Sequence, residues 1–186
     1  MSGRDNGPML DSLRLPGCAM VVGSALLAGC TPPLDWREFR PDGGAGLVML
    51  LPCRPASHAR MLTLGGASVR TTLHACTASG VTWGIVAADV QDPARVSAAL
   101  TDLKASAAAN LAVMAPVPVA GAVRGATPNP QAGWFALEGR YPDGRAARMQ
   151  LAVFAHGTTV IQASALGERL DSEAVDNYFA SLRIAP

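Results

Sequence analysis

The chain has 186 residues, with 15 lysines and arginines against 14 aspartates and glutamates, and its formal net charge is +1. This balance excludes a strongly basic nucleic-acid-binding protein and an acidic solvating tail. Hydrophobic residues make up 49% of the chain, which is typical of a folded globular protein.

The N-terminal part of the chain has the pattern of a signal peptide. Residues 15–29 carry no charge, and the run from Ala19 to Ala28 consists almost entirely of small or apolar residues. This run has the length of a signal-peptide hydrophobic region and is shorter than the roughly 20 apolar residues of a membrane-spanning helix. Thr31-Pro32-Pro33 follows, and a helix does not continue through adjacent prolines. We therefore expect a targeting segment that ends near residue 30.

The run ends in Leu27-Ala28-Gly29-Cys30, which resembles the lipobox of bacterial lipoproteins. The resemblance implies that Leu27, Ala28 and Gly29 are recognition residues for signal cleavage. It also implies that Cys30 becomes the lipidated N-terminus, carrying fatty acyl chains such as palmitate, and that the membrane is a partner through this anchor. Thr31 is not the aspartate that retains many lipoproteins in the inner membrane, so the resemblance implies the outer membrane of a Gram-negative bacterium.

The chain is predicted to have three parts. Residues 1–29 are the signal peptide, residues 30–44 are a polar tether broken by proline and glycine, and residues 45–186 form a single α+β domain. Cleavage before Cys30 leaves 157 residues with 13 basic and 12 acidic side chains. A chain of that length buries roughly 68–70% of the surface that its unfolded form exposes, so one core is sufficient.

The predicted strands follow one another in runs and do not alternate with helices. Apolar runs or alternation predict strands, and Asp92-Pro93 and Asp171 are typical helix starts. The predicted strands are Leu47–Leu51, Ala67–Cys76, Val81–Asp89, Gly133–Tyr141, Arg145–Phe154 and Thr159–Leu166, with a short edge strand within residues 116–130. This order predicts an α+β domain in which an antiparallel sheet of about six strands is covered by two main helices.

Several short motifs carry a second resemblance. Trp36 and Phe39 precede a first strand that ends in Leu51-Pro52-Cys53-Arg54-Pro55, a strand and turn contain Leu137-Glu138-Gly139-Arg140, and the chain ends in Tyr178-Phe179-Ala180-Ser181-Leu182-Arg183. Together these resemble the α/β/α sandwich of the PsbP/Mog-like superfamily, in its small bacterial lipoprotein branch. The resemblance implies a binding or assembly module, which is an analogy at the level of the fold.

Motifs that signal catalysis or cofactor binding are absent from the sequence. There is no phosphate-binding or dinucleotide-binding glycine loop, no Gly-x-Ser-x-Gly and no Cys-x-x-Cys. We therefore expect a protein that is not an enzyme and uses no cofactor.

The cysteines leave two alternatives open. Cys18 leaves with the signal peptide and Cys30 is lipidated, so Cys53 and Cys76 remain in an exported domain, where a disulfide is expected. The two cysteines could approach within bonding distance if the strands Leu47–Leu51 and Ala67–Cys76 are neighbours or next neighbours in the sheet. The alternative is free thiols, or a zinc or copper site formed by Cys53, His58, His74 and Cys76.

A surface for an envelope protein partner is predicted on the strands of residues 133–166. Arg140, Arg145 and Arg148 are the basic residues of this region. One face of these strands packs under helices, and the other is either a partner site or an ordinary solvated face. The sequence as a whole predicts a lipid-anchored, periplasm-facing accessory or binding lipoprotein of the bacterial envelope. The alternative is a metal-binding or small hydrolytic envelope protein.

Overall fold

The computed structural model describes residues 34–185. The expected signal peptide and Cys30 lie outside this range. The strands are β1 (Arg37–Phe39), β2 (Leu47–Leu51), β3 (Ala56–Leu64), β4 (Ala67–Ala78), β5 (Val81–Asp89), β6 (Val117–Val119), β7 (Gly133–Arg140), β8 (Ala146–His156), β9 (Thr159–Gly167) and β10 (Arg183–Ile184). The helices are a 3-10 turn at Pro93–Arg95, α1 (Val96–Asn110) and α2 (Ser172–Ala180).

Seven strands form one antiparallel sheet in the order β3-β4-β5-β9-β8-β7-β6. Strands β3 and β4 form a hairpin closed by Gly65 and Gly66, both with positive φ, as a two-residue turn requires. The chain leaves the sheet after β5 for helix α1 and returns through β6 at the far edge. Strands β7, β8 and β9 then fill the space between β6 and β5.

A second, small sheet has the order β1-β2-β10, with both pairings antiparallel. Strand β2 is the apolar run Leu47-Val48-Met49-Leu50-Leu51, and four of its five residues are buried. The strands on either side of it come from opposite ends of the described chain. The small sheet therefore ties the two ends of the domain together.

The seven-stranded sheet separates two hydrophobic cores. Along β5, Trp83 and Ile85 belong to one core, while Ala88 belongs to the other and Val86 packs against that core, as alternation along a strand predicts. Helix α1 covers one face through residues such as Leu100. Helix α2 and the small sheet cover the opposite face. The domain consequently has a central sheet with a layer on each side.

The antiparallel α+β class with two helices is confirmed. Asp92 accepts a hydrogen bond from the backbone of Ala94, and Asp171 accepts one from Ala174, so both helical segments begin where the sequence predicts. The large sheet has seven strands rather than about six. No helix of the described residues is long and apolar enough to cross a membrane.

Part of the expected tether is incorporated into the fold. Residues 37–39 form β1, and the backbone N–H of Asp35 donates to the carbonyl oxygen of Pro52 over 2.9 Å. Trp36 lies edge-on to Trp83, with ring centroids 5.8 Å apart. The chain is thus attached to the domain from about residue 34 onward.

Candidate functional site

A disulfide joins Cys53 to Cys76, with a Cα–Cα distance of 5.9 Å. The predicted pairing is therefore present, and the distance lies within the usual range for disulfides. The two cysteines approach each other although Leu47–Leu51 and Ala67–Cys76 belong to different sheets. Cys53 follows β2 of the small sheet, and Cys76 lies in β4 of the large one. The bond links two layers of the fold.

The alternative metal site is not assembled. The sulfur atoms of Cys53 and Cys76 bond to each other, so neither is a thiolate ligand. His58 pairs with Leu73 across the β3–β4 hairpin, whereas His74 pairs with Ser57, which places the two imidazoles on opposite faces of the sheet. No cluster of three or more metal-binding side chains occurs in residues 34–185.

His74 is a buried titratable residue, with only 2% of its surface exposed. Its Nδ1 lies 2.7 Å from the hydroxyl of Ser57, and the Phe39 ring packs edge-on against it at 5.1 Å. Its Nε2 is buried and has no hydrogen-bond partner among the described residues. In a catalytic triad the ring nitrogen that does not face the serine is hydrogen-bonded to a carboxylate. The Ser57–His74 pair therefore lacks the third member of a triad.

The three arginines predicted as a partner surface lie together at one end of β7 and β8. Arg145 forms ion pairs with Asp143 and Glu168, and its guanidinium lies over the Tyr141 ring at 5.1 Å. Hydrogen bonds from Arg145 hold the pKa of the Asp143 carboxyl below its usual value. The same bonds raise the pKa of Arg145. Both groups are exposed, so the surrounding solvent screens their attraction.

Arg140 and Arg148 also have intramolecular partners. Arg148 pairs with Glu138 across the β7–β8 ladder, and Arg140 donates to the carbonyl oxygen of Gly144 at 2.9 Å. The structure thus brings the three predicted arginines together on an exposed surface, as the spacing of a hairpin requires. Carboxylates within the domain offset the charge of two of them, which leaves a mixed surface rather than a basic one.

Sequence reasoning missed an apolar cleft beneath the segment that joins β6 to β7. The cleft has a volume of about 300 Å³ and is lined by Val123, Trp134 and Phe154, among others, without any charged side chain. Gly121 lies against Trp134 so closely that a Cβ at this position would be 1.9 Å from the indole ring. The proline-rich and glycine-rich composition of residues 116–130 is the only sequence signal for this packing.

A scan of the chain against models of known protein families finds no match, and a search of curated proteins finds none either. The residues of this chain and their chemistry are therefore the basis for any functional assignment.

Proposed function

We propose that this protein is a lipid-anchored, periplasm-facing accessory or binding lipoprotein of the bacterial envelope, without catalytic activity. The observation that carries the proposal is the sequence Leu27-Ala28-Gly29-Cys30 at the end of an uncharged apolar run. Such a run directs export, and the cysteine at its end is the residue that lipoproteins acylate. With Thr31 next, the anchor belongs in the outer membrane.

The disulfide supports export of the domain. Structural disulfides are typical of oxidising compartments such as the periplasm and are rare in the cytosol. Cys53 and Cys76 are the two cysteines that remain after Cys18 is removed and Cys30 is acylated, and they are bonded to each other. Every cysteine of the chain then has an assignment that agrees with a lipoprotein. Membership of the PsbP/Mog-like superfamily remains a proposal based on the short motifs.

Binding of an envelope protein is the role that best fits the composition of the surface. Arg140, Arg145 and Arg148 present guanidinium groups at the end of a rigid antiparallel hairpin, and arginine is favoured at protein interfaces. In the full chain anchored to a membrane, a partner with carboxylates would compete with Glu138 and Glu168 for these groups. Crosslinking in intact envelopes, with identification by mass spectrometry, would name that partner.

The anchor is tested by replacing the acylated residue. Cys30→Ser should leave a precursor that is neither cleaved nor labelled by radioactive palmitate, while the wild type is both. Cys18→Ser is the matched control, because it removes a leader thiol outside the lipobox and should be processed normally. Cleavage of the Cys30→Ser chain, with the membrane fractionation of the wild type, would refute the lipoprotein assignment.

The hydrogen bond between Ser57 and His74 favours one alternative, a small hydrolytic protein. An imidazole within 2.7 Å of a hydroxyl is the first requirement for an activated serine nucleophile. A broad ester and phosphoester screen of the purified chain, alongside Ser57→Ala, tests this alternative. Turnover that is lost in Ser57→Ala would establish the enzyme. No turnover in either protein would leave the binding role. Elemental analysis of the same sample tests for bound metal.

A further inference from the structure

Strand β3 is an edge of the seven-stranded sheet with one side uncovered. It pairs with β4, and no strand of residues 34–185 pairs with its outer side. All of its first six residues are exposed. In an antiparallel edge strand of nine residues, about half of the residues direct both backbone N–H and C=O groups away from the neighbouring strand. These groups form a row of unused donors and acceptors.

The two edges of the sheet differ in how well they are protected. The opposite edge is β6, which has three residues and contains Pro118 at its centre. Short length and proline are the usual protection against pairing with another chain. Strand β3 has neither, and its register with β4 runs without a bulge from Ala56 opposite Ala75 to Leu64 opposite Ala67. It is therefore a long and regular edge.

The side chains near this edge are basic. His58 and Arg60 project to the same face of β3, and Arg54 lies just before the strand. No aspartate or glutamate occurs between Asp42 and Asp89 in the sequence. Within the described residues no ion pair is found for Arg54 or Arg60. The β7–β8 surface, formed by Arg140, Arg145 and Arg148, differs from this edge because two of its three arginines are already paired with carboxylates.

The position of Arg60 disfavours a second copy of this chain as the occupant. Arg60 is the central residue of β3. Antiparallel pairing of two copies about their centres would place two arginines directly opposite each other, and like charges in that position destabilise a sheet. A strand with glutamates or aspartates on one face would instead pair favourably with His58 and Arg60.

We propose that β3 is a docking edge for an extended acidic segment of another protein, which joins the sheet as an additional strand. Backbone hydrogen bonds would supply affinity, and carboxylates at alternate positions would supply specificity through Arg54 and Arg60. The proposal rests on the binding role proposed above. It adds β3 as a second binding site, separate from the surface formed by Arg140, Arg145 and Arg148.

The test uses the full chain in detergent and three fluorescent nine-residue peptides. The first alternates threonine with glutamate, the second alternates threonine with lysine, and the third is the acidic peptide with proline at its centre. We expect the acidic peptide to bind at least tenfold more tightly than either of the others. It should also slow backbone hydrogen exchange within residues 56–64. Arg60→Glu should reduce its affinity at least tenfold, while Arg169→Glu, an equal change of charge at an exposed site, should not.

Four results would overturn the proposal. Equal binding of the acidic peptide and its proline variant would mean attraction by charge without strand addition. Protection of a segment other than β3, or no binding at all, would remove the site. Dimerisation of the chain alone, with protection of β3, would assign the edge to a second copy. None of these results affects the lipoprotein proposal, which depends on acylation of Cys30 and is tested independently of the peptides.

Discussion

The hydroxyl of Tyr178, in the last turn of α2, donates a hydrogen bond of 2.8 Å to the carbonyl oxygen of Gly84 in β5. Tyr178 is completely buried, and its ring packs against Trp83 and Phe179. The bond fixes the helix over the centre of the large sheet. Gly84 is buried and Ser164 lies close to it, so this part of the sheet offers little room for a larger side chain.

Tyr178→Phe should lower the free energy of unfolding by about 1 kcal/mol, because it removes one buried hydrogen bond and keeps the ring. Burial raises the pKa of Tyr178 above its ordinary value of 10.0. The unfolded chain therefore loses this proton at a lower pH than the folded chain, and stability falls as the pH rises above about 10. Tyr178→Phe should lessen this alkaline loss.

Urea unfolding between pH 7 and pH 11 measures both effects. Tyr141 is the other tyrosine of the chain and is only half-buried, so Tyr141→Phe is the matched control and should leave the free energy of unfolding within about 0.5 kcal/mol of the wild type. If Tyr178→Phe leaves the alkaline loss unchanged, the hydroxyl is not the group responsible.

Removing the disulfide should lower stability substantially. The cysteines are 23 positions apart, and closing a loop of that size is worth roughly 3 kcal/mol by the chain-entropy model. The double variant Cys53→Ser and Cys76→Ser should unfold at lower urea than the oxidised wild type. Wild type treated with reductant is its control and should unfold at a similar midpoint.

The state of the two thiols is measured by alkylation under denaturing, non-reducing conditions. Neither Cys53 nor Cys76 should take up label until reductant is added. Full labelling of both before reduction would show that the bond is absent from the mature protein. Bound zinc in the same protein would then favour the metal site formed by Cys53, His58, His74 and Cys76 in place of the disulfide.

Gly139→Ala should destabilise the domain by about 2–3 kcal/mol, the upper part of the usual range for overpacking. A Cβ at this position would lie 2.1 Å from the carbonyl oxygen of Leu111, which also accepts a hydrogen bond from the N–H of Arg140. The backbone after α1 must therefore shift. Gly66→Ala is the control, since nothing lies within 4 Å of its Cβ and only its positive φ of 76° opposes the change. Gly66→Ala should lower the free energy of unfolding by about 1 kcal/mol. Thermal or urea unfolding of the two variants measures the difference.

Replacing Arg145 and Arg148 by alanine together should leave folding unchanged. Both ion pairs are exposed and are screened by solvent and salt, so their loss has little effect on the unfolding midpoint. If the β7–β8 surface binds the envelope partner, the same double variant should lose crosslinked products. Retention of every product, in a normally folded protein, would remove these arginines from the binding site.

The predictable parts of the fold are those with a buried face. Strands β5 and β2 can be predicted from the sequence, β5 from its alternating residues and β2 from its apolar run, because a buried face requires apolar side chains. The helix starts at Asp92 and Asp171 can also be predicted, because each aspartate accepts a hydrogen bond from the backbone of the turn that follows it directly in the sequence. The Cys53–Cys76 bond followed from counting cysteines and from the compartment, although the sequence did not indicate that it joins two different sheets.

Strand β3 was not predicted because its first six residues are exposed and require no apolar alternation. The small sheet was missed for another reason. Its strands β1 and β10 have three and two residues, and they meet β2 from opposite ends of the described chain. Pairings of that kind depend on tertiary contacts rather than local sequence. The same holds for His74, whose burial against Phe39 no spacing of residues indicates.

On the lipoprotein proposal, the hydrogen bond from Asp35 to Pro52 limits the distance between the domain and a bilayer. If Cys30 carries the lipid, Asp35 is five positions after the acylated cysteine, and a fully extended chain over five steps reaches at most about 18 Å. That is less than the length of β4, whose 12 residues extend roughly 40 Å. The domain would therefore search for its partners by lateral diffusion along the lipid surface.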